Sequence, residues 1–128
     1  MARPVSELLT DRESQLMEVL WTDGPSTAEA VRQALADEPH DSTVRTLLRV
    51  LQQKGYVRIR GRQPAVYEAA VPRAKVQGSA AKSLLKRFFG GSVEALVMRL
   101  VEDEKLSAGQ LARLKKNLAR RRRPGGKS

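Results

Sequence analysis

The chain has 128 residues and a formal net charge of +10, and it contains no cysteine. This length suits one domain of ordinary size, or a small domain with an appendage. The lack of cysteine excludes disulfides, zinc fingers and thiol chemistry. No apolar run is long enough to span a membrane and the first residues carry no apolar signal core, so we expect a cytoplasmic protein.

The charge is concentrated in particular segments of the chain. Residues 1–41 hold nine acidic and three basic side chains, a net charge of −6. Residues 42–62 hold six basic side chains, residues 113–128 hold eight, and neither segment contains an acid. A concentrated basic surface is typical of polyanion binding, and the alternative is solvated charge that serves solubility. We favour polyanion binding for residues 42–62 and solvated charge for residues 113–128.

Two predicted helices open the chain. Thr10 and Glu13 have the spacing of a capping box, and the residues 23–25 (Asp-Gly-Pro) end the helix that follows. Ser26 and Glu29 repeat this spacing and predict a second capping box. Apolar residues at helical spacing follow each box, so both helices are predicted to bury one side.

A third helix is predicted from Asp41 or Ser42 to Lys54, and Gly55 is well placed to end it in the left-handed conformation. One side of this helix is apolar: Val44, Leu47, Leu48 and Leu51. The other side, on which only Val50 is apolar, can donate hydrogen bonds and has no acid: Ser42, Thr43, Arg45, Thr46, Arg49 and Gln53. A helix in the major groove needs such donors for phosphates and base edges. Ordinary surface helices usually mix Glu with Lys, so this side favours DNA recognition.

A β-hairpin is predicted next. Val57 and Ile59 alternate with arginines, which is the period-two pattern of a half-buried strand, and a turn at residues 61–64 leads to a second strand over residues 65–70. Three arginines lie on this hairpin and its turn: Arg58, Arg60 and Arg62. Basic residues often protect an exposed strand edge. Directly after a helix suited to DNA, a wing that grips the DNA backbone is the better interpretation.

The rest of the chain is predicted to be helical, with Ser92 and Ser107 as helix caps. We predict a DNA-binding domain over residues 1–72, a helical dimerisation domain over residues 73–119 and a disordered basic tail over residues 120–128. The fold class is therefore mainly α with a small β-hairpin. Nine apolar residues have no core of their own unless a second chain supplies it: Leu84, Leu85, Phe88, Val93, Leu96, Val97, Leu100, Leu111 and Leu114.

The sequence resembles the penicillinase-repressor family of winged-helix transcriptional regulators. Four segments carry the resemblance: LTDRESQLMEVLW (9–21), TVRTLLRVLQQKGYV (43–57), VYEAAV (66–71) and FFGGSVEALVMRLVEDEKLS (88–107). It implies a winged helix-turn-helix domain joined to a helical dimerisation domain, and a homodimer that represses transcription from a dyad-symmetric DNA operator. It also implies DNA contacts from the third helix, at Ser42, Thr43, Arg45 and Thr46. The copper-responsive branch uses cysteines, which this chain lacks.

The same resemblance implies a way in which repression ends. Family members commonly sit beside genes for a membrane sensor-protease, which cleaves the repressor in its C-terminal domain. The residues that match the cleavage position are Arg99 and Leu100, where the antibiotic-responsive branch has an Asn-Phe pair. The basic residues 120–123 also depart from the shorter, less basic C-terminus of the family.

Other function classes fit the sequence less well. The only histidine, His40, lies in a predicted loop, and Gly90-Gly91 is typical of a helix break rather than of a phosphate cradle. We therefore expect no enzymatic activity, no cofactor and no metal. A non-specific architectural DNA-binding protein is the main alternative, and the basic tail favours it. Binding of single-stranded RNA is disfavoured, because the few aromatic residues lie mostly in apolar stripes.

Overall fold

The computed structural model describes residues 9–121, which form six helices and three short strands. In chain order these are α1 Asp11–Asp23, β1 Ser26–Thr27, α2 Ala28–Ala34, α3 Asp41–Lys54, β2 Val57–Arg62, β3 Ala65–Ala69, α4 Arg73–Phe89, α5 Val93–Glu102 and α6 Ala108–Arg121. The predicted class, mainly α with a small β-hairpin, is confirmed. The strand β1 was not predicted from the sequence.

Helix α1 begins and ends where the sequence predicts. The Glu13 N–H donates to the Thr10 hydroxyl at 3.1 Å, and the Thr10 N–H donates to the Glu13 carboxylate at 2.9 Å, which completes the capping box. Gly24 follows the helix with φ +82°, a conformation that residues with a Cβ rarely adopt. Local chemistry therefore fixes both ends of this helix.

The predicted cap of α2 is wrong by one residue. The Thr27 hydroxyl caps this helix by accepting from the Ala30 N–H at 3.1 Å. Ser26 lies in β1, where it pairs with Tyr67, and its hydroxyl donates to the Gly24 carbonyl at 2.8 Å. The Ser26 side chain is thus engaged in the turn before the helix, and the next hydroxyl along the chain takes its place as the cap.

The three strands form one antiparallel sheet in the order β1-β3-β2. The hairpin β2–β3 is the wing. β2 runs on to Arg62, which pairs with Ala65, so the turn is shorter than predicted. Ile59 was predicted to lie on the buried side of its strand, but its side chain is 41% exposed. The outer part of β2 extends beyond the helices, so only its first residue, Val57, is covered by the core.

The core lies where α1, α2 and α3 meet the sheet. Its largest fully buried side chains come from all three helices: Leu16, Met17, Val31, Val44, Leu48 and Leu51. Tyr56, Tyr67 and Val71 extend this core toward the wing. Trp21 packs at the edge of the core, and its indole N–H donates to the Val71 carbonyl at 2.9 Å. The first three helices and the wing are therefore one packed unit.

The chain divides into two compact units between Ala80 and Ala81, inside α4. In the second unit Gly90 and Gly91 take φ of +58° and +81° and separate α4 from α5. The predicted caps at Ser92 and Ser107 are confirmed, since each hydroxyl accepts from the N–H three residues on. None of the described residues 81–121 is fully buried. These helices therefore have apolar sides that a single copy leaves uncovered.

The last helix extends further than the sequence predicted. α6 continues to Arg121, whereas fraying was expected from Arg120, because helical hydrogen bonds need no apolar side chain. The remainder of the predicted tail, residues 122–128, lies outside the described residues. In the part of the chain that is described, no helix is long and apolar enough to cross a membrane.

Candidate nucleic-acid interface

The outer side of α3 is a polar surface held in place by a buried inner side. Val44, Leu48 and Leu51 are fully buried in the core that α3 shares with α1 and α2. These buried contacts fix which side of the helix faces solvent. The six residues predicted for the outer side are all exposed: Ser42, Thr43, Arg45, Thr46, Arg49 and Gln53.

The N-terminus of α3 is organised by His40 and Asp41. The Ser42 N–H donates to His40 Nδ1 at 3.3 Å, so His40 serves as the helix cap. Asp41 accepts a hydrogen bond from Nε of Arg45 at 2.9 Å, and this bond raises the pKa of the Arg45 guanidinium. A guanidinium has five N–H donors, so the bond from Nε leaves donors for a base or a phosphate. Arg45 is therefore oriented along the helix but still able to bind.

The wing presents its arginines in two different states. Nε of Arg58 lies 2.6 Å from the Glu68 carboxylate, and a terminal nitrogen of Arg60 lies 3.5 Å from the same carboxylate. Both arginine side chains are about 60% exposed, whereas that of Glu68 is only 18% exposed. Arg62 is exposed and has no acidic partner among residues 9–121. Two wing arginines are thus already paired with an internal carboxylate, and one is not.

The C-terminal half of α3 and the wing meet at a shallow pocket. Gln52 of α3 lines it together with the three wing arginines and with Ile59, Gly61 and Ala65 of the hairpin. The pocket therefore concentrates cations and hydrogen-bond donors in one concave surface. A phosphate group suits such a surface, because it accepts several charge-assisted hydrogen bonds at once. Among the described residues, no group of three His, Cys, Asp or Glu side chains could hold a metal ion.

Asp41 and Glu68 pair with arginines at this surface, and neither pair is predicted from the sequence. The pair of Asp41 and Arg45 could have been found, because residues four apart are neighbours on a helix. Another missed pair lies beneath the surface, where the Lys54 ammonium binds both oxygens of the buried Glu13 carboxylate at 3.0 Å.

The nine residues predicted to form a dimer interface all belong to the second unit. Four are exposed in a single copy: Leu84 by 42%, Phe88 by 70%, Val93 by 60% and Leu114 by 53%. The other five are half-buried: Leu85, Leu96, Val97, Leu100 and Leu111. Three further exposed apolar residues lie on α5 and α6 and were not predicted as interface: Met98, Val101 and Leu118. α5 has one broad apolar side and carries Glu94, Arg99 and Glu102 on the rest of its surface, a pattern typical of a helix covered on one side.

One known protein family matches most of this chain. The family model described as penicillinase repressor matches residues 9–120, nearly the whole described chain. No curated protein matches the chain. The matched family is one of transcriptional repressors and is not a class of enzymes. The protein therefore belongs to the penicillinase repressor family of DNA-binding transcriptional repressors.

Proposed function

We propose that this protein is a cytoplasmic homodimer that represses transcription by binding a dyad-symmetric operator. The outer side of α3 reads base edges in the major groove, through Ser42, Thr43, Arg45, Thr46 and Arg49. The wing grips the DNA backbone through Arg58, Arg60 and Arg62. One observation carries this assignment: a fixed helix exposes only hydrogen-bonding side chains beside a basic pocket. Helix-turn-helix proteins use the N-terminal part of such a helix for base contacts.

Arg45→Ala is expected to weaken binding to the operator by about tenfold to a hundredfold, because a bidentate contact to a base would be lost. Binding to DNA of random sequence should change much less. Arg62→Ala should instead weaken binding to both DNAs alike and flatten the salt dependence, as the loss of a phosphate contact does. The measurement is a mobility shift at several salt concentrations, with an operator that the full-length protein has selected from a random pool.

A matched control is Arg12→Ala. Arg12 is also paired with an aspartate, Asp37, but it lies on α1 rather than on the proposed DNA surface. Its removal should leave both affinities nearly unchanged. Equal losses on operator and random DNA for Arg45→Ala would contradict the proposed reading of bases by α3.

A non-specific architectural DNA-binding protein is the second candidate, and the basic residues of α6 and beyond favour it. Arg113, Lys115 and Lys116 lie on this helix, and all are exposed. The same mobility shifts separate the two candidates. A repressor should prefer its selected operator by about a thousandfold or more at fixed salt, whereas an architectural protein should show a ratio near one.

We further propose that repression ends when a sensor-protease cleaves between Arg99 and Leu100. Both residues lie within α5, and Arg99 is 60% exposed and faces Glu102 and Asp103 at 3.6 and 3.7 Å. A helix must open before a protease can bind it as an extended chain. α5 has only ten residues and no fully buried side chain in a single copy, so it opens at low free energy in a monomer, whereas in the proposed dimer the opening must also break the interface. Cleavage there would remove α6 and part of α5 from the proposed dimer interface.

The expected result is a fragment that ends at Arg99, formed in the native host after a cell-wall antibiotic is added. Immunoblotting and mass spectrometry of the protein before and after treatment would detect it. Occupancy of the operator should fall at the same time, because separated half-site contacts lose the affinity gained by linkage. If the operator is released while the chain stays full-length, the switch is not cleavage.

A further inference from the structure

Glu68 has an unusual position for an acid in a surface that is suited to DNA. It is the only acidic residue in the three strands, and it lies on β3 directly opposite Arg58. Regular pairing of β2 with β3 is interrupted between Ile59 and Gly61, and Arg60 is the extra residue. This bulge allows Arg58 and Arg60 to reach the same carboxylate, at 2.6 and 3.5 Å.

The Glu68 carboxylate resembles a phosphate in what it offers to these arginines. Both groups are oxyanions that accept charge-assisted hydrogen bonds from a guanidinium. A DNA phosphate that approaches Arg58 or Arg60 must therefore compete with an oxyanion that is already in place. The pairs are largely exposed on the arginine side, so their attraction is weakened by solvent and they can exchange partners.

The charge of Glu68 also changes how many counterions are released on binding. A free arginine neutralises one phosphate and releases the counterions of that phosphate. An arginine that is already neutralised by Glu68 contributes less, because the carboxylate remains close to the DNA after the exchange. Arg62 has no acidic partner among residues 9–121, so this reduction does not apply to it.

We propose that Glu68 is a positioning residue that competes with DNA phosphates for Arg58 and Arg60 and so limits the affinity of the wing for DNA of any sequence. This inference rests on the proposed function, in which the wing contacts the DNA backbone. Recognition of the DNA sequence depends on α3, while Glu68 lowers the sequence-independent part of the affinity. Because the wing contributes alike to operator and to random DNA, this arrangement lowers both affinities and leaves their ratio to the contacts of α3.

The test is Glu68→Gln in the full-length protein, which keeps the size of the side chain and removes its charge. Affinity for random DNA is expected to rise about threefold to tenfold, in proportion to two weakened surface ion pairs. The dependence of log affinity on log salt should become steeper by about one. Glu68→Asp keeps the charge and should retain the shallower salt dependence.

Asp37→Asn is the matched control, because it removes one negative charge from another exposed ion pair, that with Arg12 on α1. It should leave the salt dependence unchanged. Unchanged or weaker binding of random DNA by folded Glu68→Gln would overturn the proposal, since Glu68 would then only support the wing. Failure of the unmodified protein to bind any DNA would instead overturn the proposed function.

Glu68→Thr covers the case in which Glu68→Gln does not fold, because it also removes the charge and threonine suits a strand. The salt dependence of Glu68→Thr should become steeper by about one, as for Glu68→Gln. An unchanged or shallower salt dependence in the folded variant would overturn the proposal. Thermal unfolding of each variant shows whether it is folded under the conditions of the binding measurement.

Discussion

Lys54→Met is expected to lower the free energy of unfolding of the DNA-binding unit by about 3 kcal/mol, because it leaves the Glu13 carboxylate buried without its cation. Glu13 is only 3% exposed, and Lys54 approaches both of its oxygens at 3.0 Å. The N–H of Thr10 still donates to this carboxylate, at 2.9 Å. The loss of unfolding free energy therefore stays near the lower end of the range for a buried ion pair that loses one partner. Urea unfolding followed by circular dichroism measures the change.

The control for this prediction is Lys75→Met, on the part of α4 that belongs to the first unit, where the lysine side chain is exposed. This substitution should change the free energy of unfolding by less than about 0.5 kcal/mol. A similar small change for Lys54→Met would show that the pair of Glu13 and Lys54 contributes little to the fold.

The same pair predicts how stability depends on pH. Burial alone raises the pKa of the Glu13 carboxyl, but the hydrogen bond from the Thr10 N–H and the nearby Lys54 ammonium outweigh burial and hold this pKa below its ordinary value of 4.5. A lowered pKa in the folded state stabilises the fold above the pKa of the unfolded chain. This contribution is lost as the pH falls through the folded-state pKa.

The difference in stability between the unmodified protein and Lys54→Met should therefore be largest near neutral pH and shrink as the pH falls through the folded-state pKa of Glu13, which lies below 4.5. Unfolding curves at several pH values measure it. A difference that stays constant over this range would mean that the lysine acts through packing of its methylene chain and not through its charge.

Much of the fold follows from local chemistry and could be predicted from the sequence. The caps at Thr10, Ser92 and Ser107 lie within three residues of their partners, and Gly55 takes the left-handed conformation with φ +92°. Such contacts join residues close together in the sequence, so a single sequence is enough to predict them. The polar and apolar sides of α3 also follow from the helical period alone.

Contacts between residues far apart in the sequence cannot be predicted from local spacing, and Glu68 is an example. A two-residue turn with regular pairing would place Glu68 opposite Ile59, away from the arginines. The extra residue at Arg60 shifts the pairing by one, and Arg58 becomes the residue opposite Glu68. A shift by one residue moves each side chain to the other side of a strand. Gly61 is the one hint of this bulge in the sequence of β2, since a glycine within a strand often marks a bulge, but it does not give the register of the two strands.

Glu13 shows the same limit within the core. Its spacing from Thr10 predicts a role in a capping box, and the structure confirms that role. The capping-box spacing does not predict a contact with Lys54, which lies 41 residues further along the chain. The two side chains meet only because α1 and α3 pack together, so the second role of Glu13 depends on tertiary structure.

Leu114→Asp is expected to convert the proposed dimer to a monomer and to weaken operator binding by about a hundredfold or more, since two linked half-site contacts become independent. Leu114 lies on the apolar side of α6 with Leu111 and Leu118, and it is 53% exposed in a single copy. Because the residue is already half in solvent, an aspartate there should leave the second unit folded. Light scattering gives the mass, and mobility shifts on the selected operator give the affinity.

The control is Ala112→Asp, which adds the same charge to the same helix. Ala112 is exposed and lies one residue past Leu111, about 100° around the helix and outside the leucine stripe. This variant should remain a dimer with nearly unchanged affinity, because its new carboxylate stays in solvent. If Leu114→Asp also remains a dimer, the leucine stripe of α6 does not form the interface. If both variants dissociate, added negative charge alone disrupts the dimer, and the interface must be sought among the basic residues of α6.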